Sequence, residues 1–305
     1  VAWGFTAGQG AASLDGCVAC ALCSDGGFAR TAAASMATAK ERRGHGHLGE
    51  AGRVGAGSPA WRRRWHGSRA VPVHMRLLIT GGTGFIGSRL AQAARGQGHE
   101  VTVTGMLNTP AETLTQGYLA KAGIEVDIVA PIAALLDGDV GLVGELVEAC
   151  RAAGVGRFVH GSTIGVYGDR EGILDETTAP APENIYGVTK LEAEGVVLAA
   201  QGLPVVVVRI SEVYGPGDRR LLKLFRAIER GRFFHIGPGT NVHHPVYVED
   251  LARGLLLAAE RPEAVGEVLV LPGREAVTTD QMVAAVAAAV GRSSPRLRLP
   301  LWPFS

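Results

Sequence analysis

The run Arg76-Leu77-Leu78-Ile79-Thr80, the loop Gly81-Gly82-Thr83-Gly84-Phe85-Ile86-Gly87 and the helix-forming Ser88-Arg89-Leu90-Ala91-Gln92-Ala93-Ala94 follow one another without a gap. No other feature constrains the chain as much. A short apolar run bounded by turn residues predicts a buried strand, and glycines directly after it permit a tight turn and close backbone approach. A helix opening on that turn presents unpaired N–H groups to phosphate, so the segment reads as the strand, loop and helix of a dinucleotide site. In a chain with 43 glycines the loop alone would say little. The flanking elements give it weight.

The alternation continues downstream. Residues 99–103, 126–129, 157–160 and 205–210 read as strands, and residues 142–153 and 186–200 as helices. Strand alternating with helix predicts an α/β fold with a parallel sheet covered on both faces. Composition agrees: 305 residues, 47% hydrophobic and 19% charged, exclude a disordered chain, and four cysteines exclude a disulfide scaffold. A net charge of +1 leaves no electrostatic footprint for nucleic acid or an anionic membrane. No apolar run approaches the roughly 20 residues needed to span a bilayer, so a soluble, cytoplasmic protein is expected.

Residues 1–74 differ from the rest. They carry nine basic residues against four acids, hence +5, which leaves −4 for the remainder. Their apolar residues follow neither period 2 nor period 3.6, so the segment is expected to be a disordered tail or a spurious extension upstream of a start at Met75. Cys17, Cys20 and Cys23 form C-x2-C-x2-C, the opening of an iron–sulfur ligand run, but the following Cys-Pro is missing and no metal site is expected.

Two further clusters bear chemistry. Tyr186-Gly187-Val188-Thr189-Lys190 sets a phenol and an ammonium four residues apart, on one face of a helix. A phenol is a poor base at neutral pH, but a neighbouring cation favours the phenolate and so allows proton exchange with a carbinol or carbonyl. The segment His160-Gly161-Ser162-Thr163 ends a strand, where ligands of parallel sheets sit, and its hydroxyls either hold a substrate oxygen or form a turn.

With Thr80 to Gly87, Ser162-Thr163-Ile164-Gly165-Val166-Tyr167-Gly168, Asp175-Glu176-Thr177, Tyr186 to Lys190, Arg209-Ile210-Ser211-Glu212-Val213-Tyr214-Gly215-Pro216-Gly217-Asp218 and Val246-Tyr247-Val248-Glu249-Asp250-Leu251-Ala252 in this order, the chain from Met75 onward resembles the extended short-chain dehydrogenase/reductase family, also called the NAD-dependent epimerase/dehydratase family. The resemblance implies a Rossmann-type doubly wound sheet over 75–210, with 241–270 returning to it. A small substrate lobe would come from 211–240 and 271–305, and would be incomplete. It implies NAD or NADP as cofactor, with Gly81, Gly84 and Gly87 around the pyrophosphate and Phe85 and Ile86 at the helix start. Tyr186 would be the catalytic acid/base and Lys190 would hold the nicotinamide ribose. Thr163, four residues before Tyr167, takes the family's catalytic Ser/Thr position, with Ser162 as second choice. A small-molecule substrate is implied, and a homodimer through a four-helix interface that includes the helix at 186–200.

Expected function follows from the same motifs: an NAD(P)-dependent oxidoreductase working at a carbinol or ketone carbon. Glu212 stands where nucleotide-sugar members usually carry Asn, and the motifs around it lean toward dihydroflavonol reductases and hydroxysteroid dehydrogenases. The alternatives are a nucleotide-sugar epimerase or dehydratase, and a non-catalytic NAD(P)-binding regulator. His243 and His244 either face the substrate cleft or lie on the surface, and Asp250 is expected to cap a helix at 251–259. Where the second strand should end near an acid for NAD, or a base for NADP, stand Thr104-Gly105-Met106-Leu107, so the preference is not legible. Residues 108–125 look too short for the family's helix, third strand and next helix. A layer is therefore expected to be missing, with 127–134 standing for the fourth strand.

Overall fold

The computed structural model describes residues 17–22 (backbone alone), 74–105, 107, 109–128, 140–170 and 172–300. The chain divides into two units, residues 1–24 with 75–305 and residues 25–74; apart from His74 the second lies outside the described residues. In chain order the elements are β1 (Cys17–Leu22), β2 (Arg76–Thr80), α1 (Phe85–Gly96), β3 (Glu100–Gly105), α2 (Pro110–Lys121), β4 (Glu125–Ile128) and α3 (Val140–Ala152). They continue with β5 (Arg157–Thr163), α4 (Ile185–Leu198), β6 (Val205–Ile210), β7 (Val213–Tyr214), α5 (Arg219–Glu229), β8 (His235–Ile236), β9 (Val242–His243) and β10 (Val246–Tyr247). The last are α6 (Val248–Glu260), β11 (Val268–Leu271), β12 (Val277–Thr278), α7 (Thr279–Ala289) and β13 (Arg298–Leu299).

Seven of these strands form one parallel sheet in the order β11-β6-β5-β1-β2-β3-β4. From β2 the chain winds outward through β3 to β4, then returns to wind the other way through β5, β6 and β11. The reversal creates a crevice at the carboxyl ends of β2 and β5, the place where doubly wound sheets take ligands. Each face of the sheet carries its own core. On β6, Val206 and Val208 pack with Leu90, Ala91 and Ala94 of α1 and Leu251, Leu255 and Ala258 of α6. Their neighbours Val205 and Val207 pack the opposite way, with Val143 and Val147 of α3 and Ala193 and Val197 of α4. This period-2 division is why the four valines read as one unbroken apolar run: both faces are buried.

Three expectations are corrected here. Residues 108–125 do supply a helix, α2, opened by a capping box in which Thr109 accepts from the Glu112 N–H and Glu112 accepts from the Thr109 N–H, and the third strand follows as β4. Among the described residues, 125–128 form the sheet's edge strand, paired with β3; of residues 127–134, expected as the fourth strand, 129–134 lie outside the described residues. A strand that follows its neighbour through one short right-handed crossover lands beside it. The slot between β2 and β5 is filled instead by Cys17–Leu22, in register Cys20↔Ile79 and Cys20↔Val159. A backbone slot inside a sheet must be paired, and a six-residue apolar segment without period suits a strand with neighbours on both sides. Cys17 and Cys20 of the C-x2-C-x2-C run lie in this strand, whereas Cys23 lies outside the described residues.

The third correction concerns Asp250. The helix begins at Val248, with Tyr247 as its N-cap residue, and Asp250 lies in its first turn beside Arg253, 3.3 Å away. Buried Val246 and Val248 bring the short β10 strand directly into the helix, leaving Asp250 to favour the helix dipole instead of capping it. Beyond the seven-stranded sheet lie three two-stranded pairs, β7–β10, β9–β12 and β8–β13. There Ile228 of α5 packs with Val283, Val286 and Ala287 of α7. Among the described residues no helix is long and apolar enough to cross a membrane.

Candidate active site

The glycine loop leaves β2 with the Gly82 N–H donating to the Thr104 carbonyl (2.9 Å) and the Gly84 N–H to the Gly81 carbonyl (3.0 Å). A Cβ on Gly87 would stand 2.4 Å from the Gly81 carbonyl oxygen, so only glycine lets α1 start this close to the loop. Gly84, the N-cap residue, has no side-chain acceptor for the first-turn N–H groups. The cradle therefore fits an anionic pyrophosphate, whose oxygens would accept from those donors. Arg89 of α1 donates to the Pro216 carbonyl (2.8 Å), and a Cβ on Gly217 would meet the Phe85 ring at 3.4 Å, so the 215–217 loop is held against the helix start.

Thr163 and Tyr186 come from neighbouring elements at the same carboxyl edge. Strand β5 ends at Thr163, whose Oγ1 accepts from the Gly165 N–H at 3.1 Å and opens a single 3-10 turn over Ile164–Tyr167. Its hydroxyl hydrogen is not used in that bond and can be donated onward. Ser162 is buried, and its hydroxyl donates to Glu194 Oε1 at 2.5 Å. Helix α4 starts where Asn184 Oδ1 accepts from the Gly187 N–H (2.8 Å), which sets Tyr186 in its first turn. A Cβ on Gly187 would lie 2.6 Å from the Gly165 carbonyl oxygen, so this glycine lets the Tyr186 turn seat on the Thr163 turn. One helical turn on, Lys190 is buried, with Nζ 5.8 Å from the Tyr186 ring centroid and donating to the Gly161 carbonyl at 3.4 Å. The structure thus brings together Thr163, Tyr186 and Lys190, while Ser162 turns to a structural partner.

That partner belongs to a network the sequence reading missed. Arg209 grips Glu194 through Nη2–Oε2 (2.7 Å) and Nε–Oε1 (3.1 Å), and its Nη1 donates to the Tyr167 hydroxyl at 2.9 Å. Tyr167 in turn donates to the Asp175 carbonyl (2.8 Å). Burial works against the Arg209 charge, yet its hydrogen bonds with Glu194 and Tyr167 hold the guanidinium pKa above its ordinary value. Burial likewise raises the Tyr167 phenol. Two signals in the sequence pointed here: an arginine inside an all-apolar strand needs a buried partner, and Glu194 sits four residues after Lys190 on the same helix face.

His160, two residues before Ser162, is fully buried, and neither ring nitrogen has a hydrogen-bond partner among the described residues. Burial first, and the Lys190 ammonium second, push its pKa down to about 3. The ring is neutral in the folded protein and takes a proton once exposed below its ordinary value near 6.5. Between those two values the unfolded chain binds one more proton than the native one, so stability rises with pH. Its contribution is complete above about pH 6.5 and declines by about 1.4 kcal/mol per pH unit on acidification toward pH 3. Urea unfolding at pH 7 and pH 4 should show this fall, and His160→Leu should flatten the slope by about that amount. An unchanged slope would mean that the ring is protonated in the fold.

On β9, His243 lies between a carboxylate and a hydroxyl: Nδ1 is 3.0 and 3.1 Å from the two Glu212 oxygens, and Nε2 is 2.9 Å from Thr279 Oγ1. His244 is exposed, and its carbonyl accepts from the Ser211 hydroxyl at 2.7 Å and from the Gly273 N–H at 3.0 Å.

A family model, the NAD dependent epimerase/dehydratase family, matches residues 77–134 and 118–271. The chain belongs to this family. It is an enzyme of the extended short-chain dehydrogenase/reductase type. This family member is 26% identical over 264 residues to "Uncharacterized UDP-glucose epimerase YtcB" of Bacillus subtilis (strain 168), covering 72% of this chain and 84% of the relative. It is 29% identical over 258 residues to the 2-alkyl-3-oxoalkanoate reductase of Stenotrophomonas maltophilia (strain K279a), covering 73% and 77%. Among solved structures it is similar to the UDP-glucuronic acid 4-epimerase from Bacillus cereus in complex with NAD, with TM-score 0.63, 25% identity, and coverage of 74% of this chain and 87% of that one.

Proposed function

We infer that this family member is an NAD(P)-dependent oxidoreductase acting at a carbinol or ketone carbon of a small molecule. The observation that carries this reading is the seating of Tyr186 and buried Lys190 against the Thr163 turn, at the carboxyl edge that also bears the glycine cradle. Gly81, Gly84, Phe85, Ile86 and Gly87 would hold the pyrophosphate, and Lys190 the nicotinamide ribose. When bound, the nicotinamide supplies the hydride acceptor or donor. Thr163 donates its hydroxyl hydrogen to the substrate oxygen and fixes its orientation. In reduction the Tyr186 phenol gives that oxygen a proton as the carbon gains hydride; in oxidation the phenolate takes it back. Lys190 stabilises the phenolate by its charge.

Within this class the motifs lean toward a net carbonyl reductase or hydroxy-compound dehydrogenase of the dihydroflavonol reductase or hydroxysteroid dehydrogenase kind, a reading supported by the oxoalkanoate reductase relative. The epimerase relatives and the NAD-bound epimerase fold support a second reading, a nucleotide-sugar epimerase or dehydratase that regenerates its cofactor. Net consumption of nicotinamide separates the two. A homodimer through α4 is the proposed assembly. The test of the common step is a fluorescence titration of the full chain with NADH and NADPH in parallel. Saturable binding of one of them is expected, weakened at least about tenfold in Gly87→Ala because the new Cβ displaces the cradle. Absence of binding by the folded wild type would overturn the reading.

A further inference from the structure

The Glu212–His243–Thr279 chain has no part in the hydride step, yet it stands at the same edge of the sheet. Strands β5 and β6 pair in the register Thr163↔Ile210, so the backbone leaves the sheet beside Thr163 and reaches Glu212 two residues later. Hydrogen bonds pin that stretch: the Ser211 hydroxyl donates to the His244 carbonyl (2.7 Å), and the Val246 N–H donates to the Glu212 carbonyl (2.8 Å). The imidazole arrives on β9, and the Thr279 hydroxyl on the first residue of α7, beside the β9–β12 pairing. Three separate segments therefore meet at one imidazole, which joins the Thr279 hydroxyl to the Glu212 carboxylate.

The proton inventory follows from the partners. A carboxylate accepts only, so Nδ1 carries hydrogen toward Glu212, while Nε2 and the Thr279 hydroxyl share the second hydrogen bond of the chain. Glu212 is the group that brings negative charge to this site. The histidine uses one direction of approach to Glu212, whose side chain remains 54% exposed while that of His243 is 24% exposed. An ionised carboxylate has about four acceptor positions, so its open side can still accept from a ligand. Arg220, in the first turn of α5, is engaged elsewhere, by Asp218 (Nε–Oδ1, 3.5 Å) and the Val213 carbonyl (3.3 Å).

We propose that Glu212, held by His243 and Thr279, is a specificity-determining subsite that accepts a hydroxyl from a phosphate-free hydroxy-ketone or carbinol and repels a nucleoside diphosphate. The proposal rests on the placement of the hydride step at Thr163 and Tyr186. A diphosphate brought beside the carboxylate would set like charges together, whereas a hydroxyl donor would complete the chain of hydrogen bonds.

The test compares uridine, UMP and UDP as ligands of the full-length protein by calorimetry, with no turnover required. For the wild type, affinity should not rise with each added phosphate. Glu212→Gln, which keeps size and the hydrogen bond to His243 but removes the charge, should tighten UDP at least about tenfold while moving uridine by less than about threefold. Wild-type protein that binds UDP at least about tenfold more tightly than uridine would overturn the proposal. So would a Glu212→Gln protein that binds UDP as the wild type does. If the variant does not fold, the wild-type series still decides. Loss of NADH binding or of Tyr186-dependent turnover would sink the oxidoreductase reading instead, and neither affects the phosphate series.

Discussion

Tyr186→Phe lowers kcat for hydride transfer by about 10²–10⁴-fold, the range contributed by a positioned general acid or base. The substitution removes one oxygen and leaves the ring that Lys190 Nζ faces at 5.8 Å, so the cap at Asn184 and the seat at Gly187 are undisturbed. Cofactor affinity should therefore stay within about twofold, because the pyrophosphate cradle and Lys190 are intact. Single-turnover kinetics with a reactive ketone and reduced cofactor would read both quantities. Turnover that survives the change unaltered would remove Tyr186 from the reaction and favour a cofactor-sensing protein.

The second large effect is on stability. Glu194→Ala leaves the Arg209 guanidinium, whose side chain is only 6% exposed, without its carboxylate, and Ser162 without its acceptor. Breaking a buried ion pair from one side costs about 3–5 kcal/mol, because the remaining charge is neither solvated nor paired. The same change frees the strand end that carries Thr163, so kcat should fall as well, although Glu194 does not reach the reacting atoms. Glu194→Gln keeps an acceptor in place and should lose less of both. Urea denaturation followed by circular dichroism checks the order Ala worse than Gln worse than wild type. A cost below about 1 kcal/mol for Glu194→Ala would show that the network relaxes or takes up water.

Much of the site was legible because it is local. The strand, glycine loop and helix from Arg76 to Gly96 are adjacent in sequence, and their geometry follows from rules that reach only a few residues. Tyr186 and Lys190 share a helix face by spacing alone. The Arg209–Glu194 pair was half legible: the sequence marks a charge in a buried strand without saying which acid answers it. His243 illustrates the other limit, since nothing in its neighbourhood distinguishes a surface imidazole from one held between residues 31 and 36 positions away.

Amino-acid order alone determined the alternation of strand and helix, the parallel sheet, the glycine turn and the phenol–ammonium face, since each depends on periodicity or on the backbone freedom of glycine. The tertiary structure decided which segment fills the slot between β2 and β5, and that segment is Cys17–Leu22, far from either neighbour in sequence. It also decided that Ser162 serves Glu194 while Thr163 caps the turn at Gly165, and that Glu212, His243 and Thr279 meet. Long-range pairing is selected by the need to satisfy buried backbone and buried charge, and no short window of sequence contains both partners.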